Sequence, residues 1–285
     1  MNLFFTDNPI SPTAFYTGFV WYENGFSHPV LKTFEGEFLY KLISPFDKAA
    51  ALLSDGMSVE SYLISRHCAL DSLLEKYISE GFTQIIEVAA GLSPRPFIMA
   101  NRHSGVEFIE TDLPTMSAKK SLIFHKARLS LPNHKFYRVD ITNSQGKDSL
   151  SELIEQLDKN KKTLLITEGL LHYLNHEILI NVFENIYKFL NHFSEGVYLS
   201  DYFFSPESEK DRTFLNIFQF CLEAFVQGKV YFHYPSSSGL ERDLKFSGFS
   251  EFRMFSPLEM PVCKQLNLRK GFAAIAEAKT KRLQE

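Results

Sequence analysis

The spacing of hydrophobic residues between Ser58 and Gly81 predicts an amphipathic helix. The apolar positions recur every three to four residues and form one stripe: Leu70, Leu73, Leu74, Tyr77 and Ile78. Gly81 supplies the residue type that most easily adopts the left-handed backbone found at helix ends. We expect this stripe to pack against the core.

Five short apolar runs follow this helix, and each ends in small or polar residues, as buried parallel strands do. They occupy residues 84–91, 106–112, 135–140, 162–169 and 196–204. Helical patterns lie between them at 114–129, 149–157 and 176–193. This alternation predicts right-handed crossovers and a parallel sheet with helices on both faces.

Two further strand-like segments, 248–255 and 271–278, close the chain and predict a terminal hairpin. The predicted fold class is α/β, with a doubly wound, mostly parallel seven-stranded sheet in a single domain. We expect four parts along the chain: an N-terminal helical cap (1–57), a core (58–202), a helical lid insertion after strand five (203–247) and C-terminal strands (248–285).

Charge and composition narrow the class of protein. The 285 residues carry a formal net charge of −4, which argues against nucleic acid as a partner. No apolar run reaches the ~18 residues of a membrane span, and no basic residue precedes Lys32 as a secretory signal would require. Three widely separated cysteines fit reduced thiols. We expect a cytoplasmic protein without a membrane partner.

Aromatic residues are in excess, with 28 phenylalanines, and many lie in the N-terminal segment through Phe46 or in the insertion. We expect part of this excess to wall an apolar pocket that excludes water. Helical spacing gives Phe214, Phe218 and Phe225 an alternative place in the core of a lid helix. The other residues of the predicted wall are Trp21, Tyr22, Phe203, Phe204, Phe220, Tyr231, Phe232, His233 and Tyr234.

The first strand-to-helix turn, residues 87–95, is where an open parallel sheet binds its ligand. This turn has Gly91 but lacks the three glycines of a dinucleotide fingerprint, and Pro94 removes a backbone donor. Asp112 follows Gly91 by 21 residues, a spacing that suits a carboxylate on ribose hydroxyls. The pattern favours a nucleoside ligand without a pyrophosphate, while a helix-capping role for Asp112 stays open.

Four strings in this order resemble the leucine carboxyl methyltransferase family, a branch of the class I S-adenosylmethionine-dependent methyltransferases with a Rossmann-like sheet. They are EVAAGLSPR (87–95), VEFIETDLP (106–114), YRVDIT (137–142) and ITEGLLHYL (166–174). The resemblance implies S-adenosyl-L-methionine as cofactor and S-adenosyl-L-homocysteine as product. It also implies methyl transfer to a carboxylate or hydroxyl of a small or peptidic acceptor, as in members that methylate polyketides.

The resemblance assigns cofactor contacts to individual residues. Arg66 matches an arginine that grips the methionine carboxylate, and Gly91 matches the motif glycine. Asp112 matches the ribose acid, and Asp140 with Ile141 matches the pair that receives adenine. By the same resemblance Glu168 lies near the sulfonium end and Tyr173 follows as a catalytic position. Glu87 is a further candidate cofactor contact because it is an acid at the end of the first strand.

Several of these residues have a simpler structural interpretation. Arg66 fits an exposed helix position, Asp140 a turn at a strand end, and Glu168 a buried acid paired with Arg66 or with the backbone. Tyr173 fits core packing equally well. The chain also departs from the family after the glycine turn, where Ser93 replaces an acid although Arg95 is present.

A hydroxyl acceptor would benefit from a general base, whereas a carboxylate acceptor would need none. His172, His233 and Tyr202 are candidate bases from their positions near strand ends or in the insertion. His172 and His176 are four residues apart, but a helix starting at Asn175 would separate them, so we expect no metal site. Two other functions stay open: S-adenosylmethionine binding without turnover, and a nicotinamide-dependent oxidoreductase.

Overall fold

A computed structural model describes residues 11–53, 58–204, 216, 219, 222–223, 226, 228–261, 264 and 273–281 of the chain. The helices are α1 (Ser11–Glu23), α2 (Phe34–Leu53), α3 (Val59–Ser79), α4 (Arg95–Arg102), α5 (Pro114–Lys126), α6 (Leu150–Ile154), α7 (His176–Leu190) and α8 (Ser237–Phe246). The strands are β1 (Gln84–Val88), β2 (Glu107–Asp112), β3 (His134–Arg138), β4 (Lys162–Thr167), β5 (Glu195–Phe203), β6 (Glu251–Phe255) and β7 (Ala273–Lys279). Short 3₁₀ turns occupy Pro29–Leu31, Leu171–Tyr173 and Pro257–Glu259.

The seven strands form one sheet in the order β3-β2-β1-β4-β5-β7-β6. The first five strands pair in parallel, whereas β7 is antiparallel to both β5 and β6. The predicted mostly parallel, doubly wound sheet is therefore confirmed, together with the antiparallel pairing of the last two strands. Strand order reverses between β1 and β4, which makes their carboxyl ends the expected ligand site.

Helix α3 follows the boundaries that its sequence pattern predicts. Ser58 and Ser61 form a reciprocal capping box at its start, and Gly81 adopts a φ of 89° just beyond its end. Asp47 of α2 adds two hydrogen bonds, because its carboxylate accepts from the amides of Val59 and Glu60. These bonds fix α2 against the first turn of α3.

The core lies on both faces of the sheet, as alternate strand residues show. Ile85 packs in the cluster that includes α3, whereas Ile86 packs in the cluster that includes α7. On the α3 side, α1 closes over the first strand-to-helix turn. A side chain at Gly18 would place its Cβ 2.8 Å from Leu92, so glycine is needed for this close approach.

Within the described residues, no helix is both long and apolar enough to cross a membrane. The predicted insertion is only partly described. Phe214, Phe218, Phe220 and Phe225 lie outside the described residues, so their place in a pocket wall or a lid core stays a prediction. The division of the chain into a cap, a core, a lid and C-terminal strands also stays a prediction.

Candidate active site

Strand register brings four residues to one level at the carboxyl edge of the sheet. Val88 pairs with Thr111 on one side and Thr167 on the other, and Thr167 pairs with Ser200. The residues that follow these four along their strands are Ala89, Asp112, Glu168 and Asp201. Three carboxylates therefore lie along the edge at which the turn after β1 begins.

A cavity of about 380 Å³ opens at this edge, between the sheet and helices α1 to α3. Its polar wall includes Arg66, Gly91, Glu168 and Gly169. The rest of the lining is mostly apolar or aromatic and includes Tyr16, Trp21, Ile43, Phe46, Val59, Tyr62, Leu63, Leu92 and Tyr173. Such a mixture suits a ligand with one charged end and one apolar end.

Arg66 reaches the cavity from α3 and is only 7% exposed, so the interpretation of Arg66 as a surface residue is wrong. Its Nε donates to Glu168 Oε1 at 3.1 Å, and its Nη1 donates to Asp201 Oδ2 at 3.0 Å. Among the described residues, Nη2 has no hydrogen-bond acceptor. Since Arg66 lines the cavity, Nη2 is the donor left for a ligand.

Gly169 keeps the space around this donor open. A Cβ at position 169 would lie 2.7 Å from Arg66 Nη2, and the φ of 69° also disfavours other residues. The Gly169 amide donates to Asp201 Oδ1 at 2.7 Å, which fixes the turn after β4. The sequence ITEGLLHYL therefore needs its glycine for Arg66 as well as for the turn.

Arg95 is the centre of a buried cluster behind the cavity wall, with 1% of its surface exposed. Its guanidinium binds Asp71 at 2.5 Å, Glu87 at 2.9 Å and Glu168 at 2.8 Å. This cluster holds Glu168 from behind, so the interpretation of Glu168 as a buried, paired acid is confirmed. Glu168 also lines the cavity, and the two roles are compatible.

His67 is another partner of Glu168 and packs against Trp21, with ring centroids 4.5 Å apart. Its Nδ1 is 3.0 Å from Glu168 Oε2 and 2.9 Å from Arg95 Nη2. The first contact requires Nδ1 to donate and the second requires it to accept, so Nδ1 satisfies only one of them at a time.

Charges in this cluster move pKa values away from neutrality. Burial alone would raise the pKa of Glu168. Its neighbours His67, Arg95 and Arg66 instead hold this pKa well below its ordinary value. Burial alone would lower the pKa of Arg66, but the nearby Asp201, Tyr62 and Glu168 raise it. At neutral pH the cavity wall therefore carries a fixed carboxylate beside a fixed guanidinium.

Asp112 does not cap α5, because the cap position is Leu113 and has no side-chain cap bond. Its Oδ2 instead accepts from the Gly91 amide at 2.7 Å, and its Oδ1 accepts from the Leu113 amide at 2.7 Å. Asp112 and Gly91, predicted as separate cofactor contacts, are thus bonded to each other. Asp112 lies outside the main cavity lining, in a small adjoining space that shares Ala90 and Gly91 with it.

Three other predicted cofactor residues do not line the cavity. Glu87 is buried against Arg95, and burial raises its pKa. Asp140 accepts from the amide and hydroxyl of Thr142, which is the strand-end turn that its structural interpretation predicts. Ile141 is buried in the α7 cluster. Contacts of Asp140 and Ile141 with adenine stay predictions.

Tyr173 lines the cavity, whereas His172 does not. The His172 Nδ1 is 2.9 Å from the Tyr231 carbonyl oxygen, and burial lowers the pKa of the imidazole. Its ring packs against Tyr202 and Phe232, with centroids 5.0 and 5.5 Å away. His172 thus lies outside the cavity lining, and its role as a base near the acceptor stays a prediction. The other candidate bases, Tyr202 and His233, do not line the cavity either.

The described residues of the predicted aromatic wall lie only partly at the cavity. Trp21 and Phe46 line the cavity, but Tyr22 does not. The described aromatic residues of the insertion pack around His172 and Tyr202 instead: Phe203, Phe204, Tyr231, Phe232, His233 and Tyr234.

The family model for leucine carboxyl methyltransferase matches residues 39–187, slightly more than half of the chain. The chain belongs to the leucine carboxyl methyltransferase family. It is therefore an S-adenosylmethionine-dependent methyltransferase, and the nicotinamide alternative is set aside. The matched region contains α3, the glycine turn and Glu168, the elements that build the polar wall of the enzyme's cavity.

Solved structures share the fold of the enzyme at low sequence identity. The chain of "PigF with SAH" is 14% identical, with a TM-score of 0.50 over 75% of this chain and 58% of that chain. The apo methyltransferase SibL is 13% identical, with a TM-score of 0.53 over 87% of this chain and 60% of that chain. The enzyme thus spans less than two thirds of either protein.

A third structure, an O-methyltransferase family protein from Burkholderia thailandensis, is 12% identical, with a TM-score of 0.52 over 97% of this chain and 72% of that chain. At these identities the likenesses show the fold alone. No curated protein sequence matches the chain.

Three residues of the site were not predicted from the sequence. Asp201 lies near the end of β5 at the level of Glu168, so the rule that picked Glu168 at a strand end also applies to it. His67 follows Arg66 directly, and Asp71 lies one helical turn further along α3. Nothing in the sequence pairs His67 and Asp71 with Arg95, because that contact joins α3 to α4.

Proposed function

We propose that the enzyme transfers the methyl group of S-adenosylmethionine to a carboxylate oxygen of a small, mainly apolar acceptor. The observation that supports this most is the mixed lining of the cavity, in which Arg66 and Glu168 lie among mainly apolar and aromatic side chains. The charged residues fit the cofactor's amino-acid end, and the apolar residues fit an acceptor.

The charged residues fit a cationic cofactor. Two guanidinium groups, those of Arg66 and Arg95, meet four carboxylates, those of Asp71, Glu87, Glu168 and Asp201. With all four ionised, the carboxylates outnumber the cations whether or not His67 carries a second proton. Excess negative charge favours a ligand with a sulfonium and an ammonium group. The PigF structure has the same fold and is described with SAH, the product of S-adenosylmethionine, which supports S-adenosylmethionine as the cofactor here.

We assign the methionine carboxylate to Arg66 Nη2, because a guanidinium edge binds carboxylates by charge-assisted hydrogen bonds. We assign the ribose to Asp112, whose two oxygens each keep an acceptor site beyond their bond to a backbone amide. When bound, S-adenosylmethionine supplies an electrophilic methyl group on a good leaving group. The protein then contributes alignment and the exclusion of water.

A carboxylate acceptor is favoured over a hydroxyl because the described lining residues offer no base that titrates near neutrality. Burial raises the pKa values of Tyr16, Tyr62 and Tyr173, so these phenols stay protonated. Glu168 is held as a carboxylate of low basicity, because its cationic neighbours lower its pKa. A carboxylate acceptor is already an anion at neutral pH, so its oxygen forms the new C–O bond as the C–S bond breaks, without proton transfer.

The test compares matched acceptors with S-adenosylmethionine labelled in its methyl group. An arylalkanoic acid, the alcohol of the same skeleton and the corresponding phenol are each incubated with enzyme, and products are identified by mass spectrometry. We expect labelled methyl ester and S-adenosylhomocysteine from the acid alone. Methyl ethers from the alcohol or phenol would contradict the carboxylate assignment. Cofactor binding without S-adenosylhomocysteine from any acceptor would favour the alternative of binding without turnover.

A further inference from the structure

Helix α2 carries a stripe of large apolar side chains on its outer face. This α2 stripe consists of Phe34, Phe38, Leu42, Phe46 and Leu52, which are between 46% and 88% exposed. Elsewhere in the described part of the chain, only Leu122, Ile178 and Phe246 are exposed large hydrophobic residues. A concentrated apolar surface of this kind marks a contact site.

The stripe has the size and shape of a protein contact. At about 150–200 Å² for each side chain, its exposed area comes to roughly 500–700 Å², which approaches the ~800 Å² that each partner buries in a standard interface. Four of the five side chains, all but Phe46, lie outside the cavity lining on a 20-residue helix, whereas small ligands take concave sites.

We propose that the α2 stripe binds the same stripe of a second copy of this chain, with the two helices antiparallel and the two-fold axis at Leu42. Phe38 and Phe46 lie four residues before and after Leu42. An antiparallel pair centred there places Phe38 opposite Phe46 of the second copy, and the reverse, as a two-fold interface requires.

Charges beside the stripe support this arrangement. Glu37, Lys41 and Lys48 lie along one flank of the α2 stripe, with the acid nearest the N-terminal end. In the antiparallel pair this flank faces the same flank of the second copy, so Lys48 comes next to Glu37 of the second copy. Lys41 comes near Lys41 of the second copy, but each Lys41 is already paired with Glu37 of its own chain at 2.7 Å, and Lys32 pairs with the other oxygen of Glu37 at 3.0 Å. The mixed charges differ from the Lys- and Arg-rich face typical of helices that lie on lipid.

The contact would also reach the cavity, because Phe46 belongs to the α2 stripe and to the cavity lining. A second copy on the stripe would therefore cover the outer rim of each acceptor pocket. The experiment needs neither cofactor nor acceptor, so its result does not depend on whether the proposed methyl transfer is correct.

The test is the molar mass of the full chain by sedimentation velocity at micromolar concentration. We expect the wild type at twice the 32.8 kDa of one chain. Leu42→Glu places two carboxylates at the two-fold axis and should give single chains. The matched control is Leu122→Glu on α5, which changes an exposed leucine outside the stripe and should leave the mass doubled. Circular dichroism checks that both variants fold.

Charge exchange tests the antiparallel direction. Glu37→Lys and Lys48→Glu should each weaken the dimer at least several-fold, and the double variant should restore part of the loss. A wild type that sediments as a single chain would overturn the proposal, as would a doubled mass that survives Leu42→Glu. A single-chain wild type that binds phosphatidylglycerol vesicles through Leu42 would identify lipid as the occupant and overturn it as well.

Discussion

Replacing Arg95 by methionine tests whether the buried charge cluster stabilises the site. The change keeps an unbranched side chain but leaves Asp71, Glu87 and Glu168 without the guanidinium that binds all three. Removing one partner of a buried ion pair costs about 3–5 kcal/mol, since the opposite charge stays buried and unpaired. We expect Arg95→Met to lose at least this much free energy of unfolding at pH 7.

The loss should depend on pH in a defined direction. The folded-state pKa of Glu168 lies well below its ordinary value of 4.5, so its pairing stabilises the fold above that value. This stabilisation is lost as the pH falls through the folded-state pKa. Without Arg95 the folded-state pKa of Glu168 rises. The difference in free energy of unfolding between wild type and variant is therefore largest at pH 7 and decreases below about pH 5.

Urea unfolding followed by circular dichroism measures this difference at each pH. The matched control is Arg102→Met at the end of the same helix, because Arg102 is exposed and lies 3.8 Å from Glu75. Such a surface pair is worth about 0–1 kcal/mol. Equal destabilisation by Arg95→Met and Arg102→Met would refute the stabilising role of the cluster.

Three further predictions concern single contacts. Gly169→Ala should weaken S-adenosylmethionine binding at least tenfold by calorimetry, because the new Cβ would meet Arg66 Nη2. The control Gly81→Ala is also at a positive φ but has no atom near its Cβ position, so it should not weaken binding. Equal affinities of the two variants would contradict this. Asp112→Asn should weaken S-adenosylmethionine binding by about 1–3 kcal/mol. The variant should bind S-adenosylmethionine and its 2′-deoxy analogue equally. A variant that still prefers the ribose would argue against the contact between Asp112 and the ribose. His172→Phe should reduce the loss of stability that acid causes below about pH 6.5. Burial lowers the folded-state pKa of His172, so the neutral imidazole's contribution to stability is lost as the pH falls from the unfolded-state pKa through the folded-state pKa. An unchanged pH profile of unfolding would count against this.

The sheet and the acids at its carboxyl edge could be predicted because the ends of the strands can be recognised in the sequence. Apolar runs ending at Glu168 and Asp112 place both acids at the carboxyl edge, whatever the packing around them. Helix α3 was predictable for the same reason, because its period and its end at Gly81 are local properties.

Contacts between distant elements could not be predicted in this way. The pairing of Arg95 with Asp71 depends on how α4 packs against α3, and no local pattern encodes that distance. Aromatic content was similarly ambiguous: Phe46 lines the cavity while Phe34 lies on the same helix away from it, because the two residues are more than three turns apart along its axis. Composition reports the number of rings but not the face that each one occupies.

Arg66 is the residue on which the proposed cofactor site depends most, and calorimetry of S-adenosylmethionine binding tests its role directly. Arg66→Lys keeps the charge but loses the guanidinium edge, so comparison with Arg66→Met separates charge from geometry. We predict one site per chain in the wild type and a loss of about 1–3 kcal/mol in Arg66→Met, which is roughly 5- to 150-fold in affinity, with Arg66→Lys in between. Wild-type affinity in a folded Arg66→Met variant would contradict the proposed site.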